Sequence, residues 1–121
     1  MSEKNYQLRV EDWLNACFPH EVRTDRQERN HRFLEEALEL AQANGCSKEH
    51  AIALVDYVYS RPEGRPELEV GGVMVTLASL CSATEIDMNE AGDNELKRNW
   101  DRIDIIRKKQ ASKPPGSPLP Q

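Results

Sequence analysis

The stretch from Val70 to Cys81 constrains the fold more than any other. It reads Val-Gly-Gly-Val-Met-Val-Thr-Leu-Ala-Ser-Leu-Cys and holds no charged residue. Wound into a helix it is apolar nearly all round, and a helix without a polar face has to be buried. Its β-branched residues would also suit a strand, but its length and lack of alternation favour a helix. It is too short to span a membrane, which takes about 20 apolar residues. The sequence therefore predicts a core helix. Gly71 and Gly72 would let another backbone approach it closely, at some cost in helix propensity.

Other helices follow from the period of the apolar residues. Val10, Trp13, Leu14 and Cys17 stand at i, i+3, i+4 and i+7, a short amphipathic helix ending near Pro19. Thr24 or Asp25 can cap the next helix, with Glu28 as the capping-box partner of Asp25. It runs to about Asn44, with Phe33, Leu34, Ala37, Leu38, Leu40 and Ala41 as its stripe and Gly45 at C′. Ser47 opens a third helix, with Ala51, Ile52, Leu54, Val55 and Val58 as its apolar residues, and 60–65 closes it as a loop. Pro66 suits the first turn of the apolar helix, where Glu67 and Glu69 meet the helix dipole. Asp87-Met88-Asn89-Glu90 is a second capping box, opening a last helix through Leu96, Trp100, Ile103 and Ile106 to about Lys109. The expectation is an all-α, four-helix-bundle-like domain over residues 1–110 with a short extra N-terminal helix.

Residues 111–121 are different. Four of the seven prolines lie there, so a flexible, disordered Pro-rich tail is expected. The remaining chain can build one small core with little surplus. With 38% hydrophobic and 31% charged residues, it is expected to recruit further apolar area as a homodimer or homotetramer. A net charge of −5 argues against a nucleic-acid polymer as partner. It leaves room for a small anionic substrate, because a metal reverses the local sign. Cys17, Cys46 and Cys81 have no CxxC spacing, which fits a reducing cytoplasm. The N-terminus is too polar for a signal peptide, and no membrane association is expected.

The candidate chemistry lies in Glu35-Glu36-x-x-Glu39. Each helical residue turns about 100°, so three carboxylates at i, i+1 and i+4 share about 100° of arc. Alone, such a run is more often a solvated face, with Arg32 one turn earlier to pair with it. Two features count against that. Glu36 and Glu39 border the apolar stripe rather than oppose it. Glu69 lies on the line of Val73, Thr76 and Leu80, on a helix expected to have no solvent face. A buried carboxylate needs a positive neighbour, and a hard divalent cation is the simplest one.

This ordered set resembles the all-α nucleoside triphosphate pyrophosphohydrolases of the MazG-like and dimeric dUTPase superfamily, with EExxE on one helix and ExxD on another. The stretch Glu28–Leu40, then Leu54–Val58, then Glu69–Ala78, then Glu95–Arg98 and Ile106–Gln110, looks like the phage and prophage branch described as dATP/dGTP diphosphohydrolase. The similarity covers roughly residues 10–113. It departs at Gly72, where the superfamily carries the aspartate. Asp56 is the favoured replacement, with Asp93 and Glu95 as others.

The resemblance implies an enzyme that hydrolyses a nucleoside triphosphate, here a purine deoxynucleotide, to the monophosphate and pyrophosphate. It implies Mg²⁺, with Mn²⁺ as substitute, on Glu35, Glu36, Glu39, Glu69 and Asp56. Glu35 and Glu39 would be the catalytic residues, with Glu35 as a metal ligand or the general base. Arg29, Arg32, Lys97 and Arg98 are the candidates for the phosphates, and Trp13 or Trp100 for the base. Each cation taken singly is more often an ordinary surface ion pair. The implied location is the cytoplasm of a bacterium, or of the host if the chain is phage-encoded. The alternatives are a helical bundle that binds a nucleotide without turning it over, and a protein-interaction module.

Overall fold

A computed structural model describes residues 4–114 and 116–120 of the chain. It is helical, with no strand among the described residues. The helices are α1 (Tyr6–Cys17), α2 (His20–Arg23), α3 (Arg26–Ala43), α4 (Lys48–Tyr59), α5 (Pro66–Ala83), α6 (Met88–Asp101) and α7 (Ile103–Ser112). They fall into two units. The first joins Met1–Leu34 to Asn89–Gln121, and the second is Glu35–Met88, so α3 belongs to both.

The first unit holds the only buried side chains among the described residues. Trp13, Cys17, Phe18 and Leu96 form its core, and Val10, Leu14, Val22, Ile103 and Ile106 pack around them. The expected stripe on α1 is the stripe that is used. Trp13 meets Phe18 edge-on, with ring centroids 5.8 Å apart. α1 starts earlier than its apolar period suggests, because Asn5 caps it by accepting from the Leu8 N–H at 2.9 Å. The first turn is then held by Tyr6, whose hydroxyl donates to the Gly92 carbonyl on α6 at 2.8 Å. A Cβ at Gly92 would come within 3.2 Å of the Tyr6 ring, so a side chain there would press the ring back by a few tenths of an ångström. Cys17 is 1% exposed, and burial pushes its thiol up from the ordinary value.

Three features of this unit differ from expectation. A one-turn helix, α2, stands directly after Pro19. The last helix is two helices, since Arg102 leaves helical geometry (φ −115°, ψ 20°) between α6 and α7. The Pro-rich end lies against α3 in its described part. α7 continues to Ser112, Lys113 donates to Glu28, and the Pro118 carbonyl accepts from Arg32.

The helix ends of the second unit are built as the sequence predicts. Gly45 is left-handed (φ +86°), and the Cys46 N–H reaches back to Ala41 O at 3.0 Å in a Schellman turn. Ser47 accepts from the His50 N–H at 3.2 Å, and Pro66 opens α5. The burial does not follow the prediction. No residue of 35–88 is buried, and every residue from 52 to 76 is exposed. α5 is half-buried only at Leu77, Ala78, Leu80 and Cys81. The expectation of a buried core helix is thus corrected for the single chain. The physical reason is size: α4 and the end of α3 are too little material to surround a helix that is apolar on every side. Gly71 and Gly72 are corrected with it, because an added Cβ at either meets nothing within 4 Å. No single helix among the described residues is long and apolar enough to cross a membrane.

Candidate functional site

All five predicted metal ligands lie in the second unit. Glu35, Glu36 and Glu39 stand on the last turns of α3, Asp56 on α4 and Glu69 in the first turn of α5. Glu35 is half-buried, and the other four are exposed. Glu69 folds back over the α4–α5 loop, where a Cβ on Gly64 would sit 3.1 Å from its Cδ. Among the described residues, no group of three or more His, Cys, Asp or Glu is placed to hold a metal ion. One chain therefore does not gather these five residues into a closed cage. The helices that carry them are not drawn together by a core, so nothing forces their carboxylates to converge.

The charge of this unit still suits a hard cation. Residues 35–88 carry ten Asp and Glu against three Lys and Arg, a net −7. The first unit carries eleven against thirteen, a net +2. The chain's acidity is thus concentrated in the unit that holds the EExxE run. Such a field raises the local concentration of divalent cations. Mg²⁺ does not require an all-protein cage. It commonly takes one or two carboxylates and completes its shell with water and substrate phosphates. In that weaker sense the donor set fits the ion, with Glu36 and Glu39 one turn apart on one face of α3.

The predicted phosphate-binding cations lie in the first unit and differ in availability. Arg29 stacks over the Phe18 ring, 5.3 Å from its centroid, and has an Nη2 atom 3.9 Å from Glu28. Burial pulls its guanidinium down from the ordinary value, and Glu28 works in the opposite direction. Arg32 lies 3.3 Å from the same carboxylate through Nε and donates to Pro118. Lys97 is exposed, and Arg98 makes an exposed pair with Glu95 at 3.4 Å. The reserve carboxylates are thereby accounted for as well, since Asp93 pairs with Arg9 at 2.7 Å. Of the two tryptophans, Trp13 is a core residue and Trp100 is 43% exposed, so only Trp100 offers a free ring face.

The sequence offers Glu28 only as a capping-box partner, and the structure makes it the buried charge among the described residues. Half of the box is made: Asp25 accepts from the Glu28 N–H at 3.1 Å. The Glu28 carboxylate does not reach back. It is 7% exposed and collects Arg29, Arg32 and Lys113. Nothing local signals this, because Lys113 lies 85 residues away. Each unit carries a shallow cavity, mainly apolar in the second and mixed in the first. The cavity of the second, about 630 Å³, is bordered by Ala41, Cys46, His50, Leu54 and Leu80. That of the first, about 740 Å³, is bordered by Cys17, Phe18, Arg107 and Lys108.

Comparison with family models, with curated proteins and with solved structures finds no match to this chain. The class that the structure itself defines is an all-helical protein with one small core and one strongly acidic, coreless helical unit.

Proposed function

We propose that the chain is a divalent-metal-dependent nucleoside triphosphate diphosphohydrolase acting on purine deoxynucleotides. The observation that carries this reading is the acidic face of α3, Glu35-Glu36-x-x-Glu39, within a unit of net charge −7 that also holds Glu69 and Asp56. The ordered resemblance over residues 10–113 supports it, and extends it to a MazG-type four-helix-bundle domain.

The reaction joins a water oxygen to the α-phosphorus and breaks the bond to the α–β bridging oxygen, so pyrophosphate leaves. Mg²⁺, when bound at Glu36 and Glu39, supplies counter-charge to the phosphates. Glu35 takes the proton from the attacking water. Lys97 and Arg98 are the cations least engaged elsewhere, and they are assigned to the outer phosphates ahead of Arg29 and Arg32. Trp100 is the aromatic assigned to the base.

Incubating the protein with a panel of dNTPs and NTPs, with and without Mg²⁺ or Mn²⁺, tests this. Monophosphate and pyrophosphate should form only with metal, and Glu39→Gln should slow turnover by about 10²-fold or more. Orthophosphate as the sole product, or neither turnover nor nucleotide binding, overturns the proposal. A second reading has its own support. Gly72 stands in place of the aspartate, and among the described residues no three carboxylates are gathered to hold a metal, which favours a protein that binds a nucleotide without turnover. The same assay, read beside calorimetric binding of a dNTP, separates the two.

A further inference from the structure

Arg29 and Arg32 stand behind Lys97 and Arg98 as phosphate contacts because they are engaged, and part of what engages them is the C-terminal end of the chain. Just beyond α7 the Lys113 ammonium is almost wholly buried and donates to Glu28, the carboxylate that both arginines also approach. Gly116 then takes a left-handed turn (φ +76°), and the Leu119 N–H donates to Ser117 Oγ at 3.2 Å. The Pro118 carbonyl is thereby brought to Arg32, whose Nη2 donates to it. Ser117 is half-buried, while Gly116, Pro118 and Leu119 are exposed, so this end of the chain rests on α3 without joining the core. Arg29 is left incomplete, since its Nε is buried and finds no hydrogen-bond acceptor. A buried N–H without an acceptor is rare in a folded protein, and a ligand that supplies the acceptor is one explanation.

We propose that the C-terminal end, anchored at Lys113 and plugged at Pro118, is an autoinhibitory strap: the Pro118 carbonyl holds Arg32 where a phosphate oxygen would, and its release opens Arg29 and Arg32 to the phosphates of a nucleotide. The proposal rests on reading those two arginines as phosphate contacts. Three observations carry it. The plug has the right chemistry but no charge. A phosphate oxygen makes the same bond to a guanidinium with a negative charge behind it, and such bonds are roughly twice as strong, so a polyphosphate displaces a carbonyl. The anchor is separate from the plug. Lys113 is held at Glu28 and Pro118 at Arg32, four residues further along α3, so the plug lifts without the anchor letting go. Four prolines between 114 and 120 stiffen the loose chain, so little entropy is lost on docking and a single hydrogen bond is enough to keep the strap closed.

Calorimetric titration with pyrophosphate in EDTA, on the full chain and on a chain ending at Gly116, tests the strap. The shorter chain keeps Lys113 on Glu28 and loses the plug. It should bind pyrophosphate about tenfold more tightly than the full chain, and Arg32→Gln in the shorter chain should remove that gain. Hydrogen exchange on the unaltered full chain gives a readout that needs no variant. Saturating pyrophosphate should speed exchange in the C-terminal peptide, where the Leu119 amide is otherwise bonded to Ser117. Equal affinity in the two chains overturns the proposal. So does a gain that survives Arg32→Gln, or exchange that pyrophosphate leaves unchanged. None of these readouts needs hydrolysis, so an absence of turnover in the dNTP panel counts against the diphosphohydrolase reading alone.

Discussion

Glu28 shows how a single side chain can hold distant parts of a sequence together. Its carboxylate is nearly out of water and is matched by Arg29 and Arg32 on its own helix and by Lys113 from the C-terminal end. A buried carboxylate with a satisfied shell adds little net stability, but removing one member leaves the others uncompensated. Glu28→Gln should therefore lower stability by about 2 kcal/mol in urea titration. Lys113→Met should cost less, because two arginines remain to match the carboxylate. Equal losses from both variants would show that the cluster does not work this way. None of this was legible from the sequence. Glu28 occupies a position where a capping glutamate is expected, and sequence spacing says nothing about a partner just past the end of the last helix.

The helices were far more legible than the surfaces they present. Local signals act within one turn, so Asp25, Gly45, Ser47 and Pro66 all stand at the helix ends the sequence assigns them. The exceptions are ends without a signal. α5 stops in a Schellman turn with Ile86 N–H on Cys81 O at 2.9 Å, and its C′ residue is Glu85 at φ +58°. A side chain there strains against its own backbone, and glycine relieves it. Glu85→Gly should raise stability by about 1 kcal/mol, seen as a higher midpoint in chemical denaturation. No change would mean that the Glu85 side chain gains in contacts what its backbone loses. The break at Arg102 and the single turn of α2 carry no such signal, since both depend on how α1 and α7 pack. Burial was the least legible property. The pattern Val70–Cys81 reads as a buried helix, whereas the first half of α5 is exposed in the single chain.

At the scale of the whole molecule, the candidate site was legible as residues and not as geometry. Glu35, Glu36, Glu39, Asp56 and Glu69 fall in one unit, and the four cations belong to the other. Convergence of carboxylates is set by packing, and packing in residues 35–88 is not completed within one chain. The exposed loop between α4 and α5 has a further consequence, for proteolysis. Arg61 and Arg65 are the only Lys or Arg residues between Lys48 and Lys97, and Pro62 and Pro66 follow them directly. A protease that cuts after Lys or Arg does not cleave before proline, so trypsin should leave residues 49–97 as one intact fragment however open the loop stands. A glutamate-specific protease meets Glu63 and Glu67 in the same segment and should cut there first, as mass spectrometry of a short digest would show. The most accessible stretch of the chain is thus closed to one whole class of proteases and open to another.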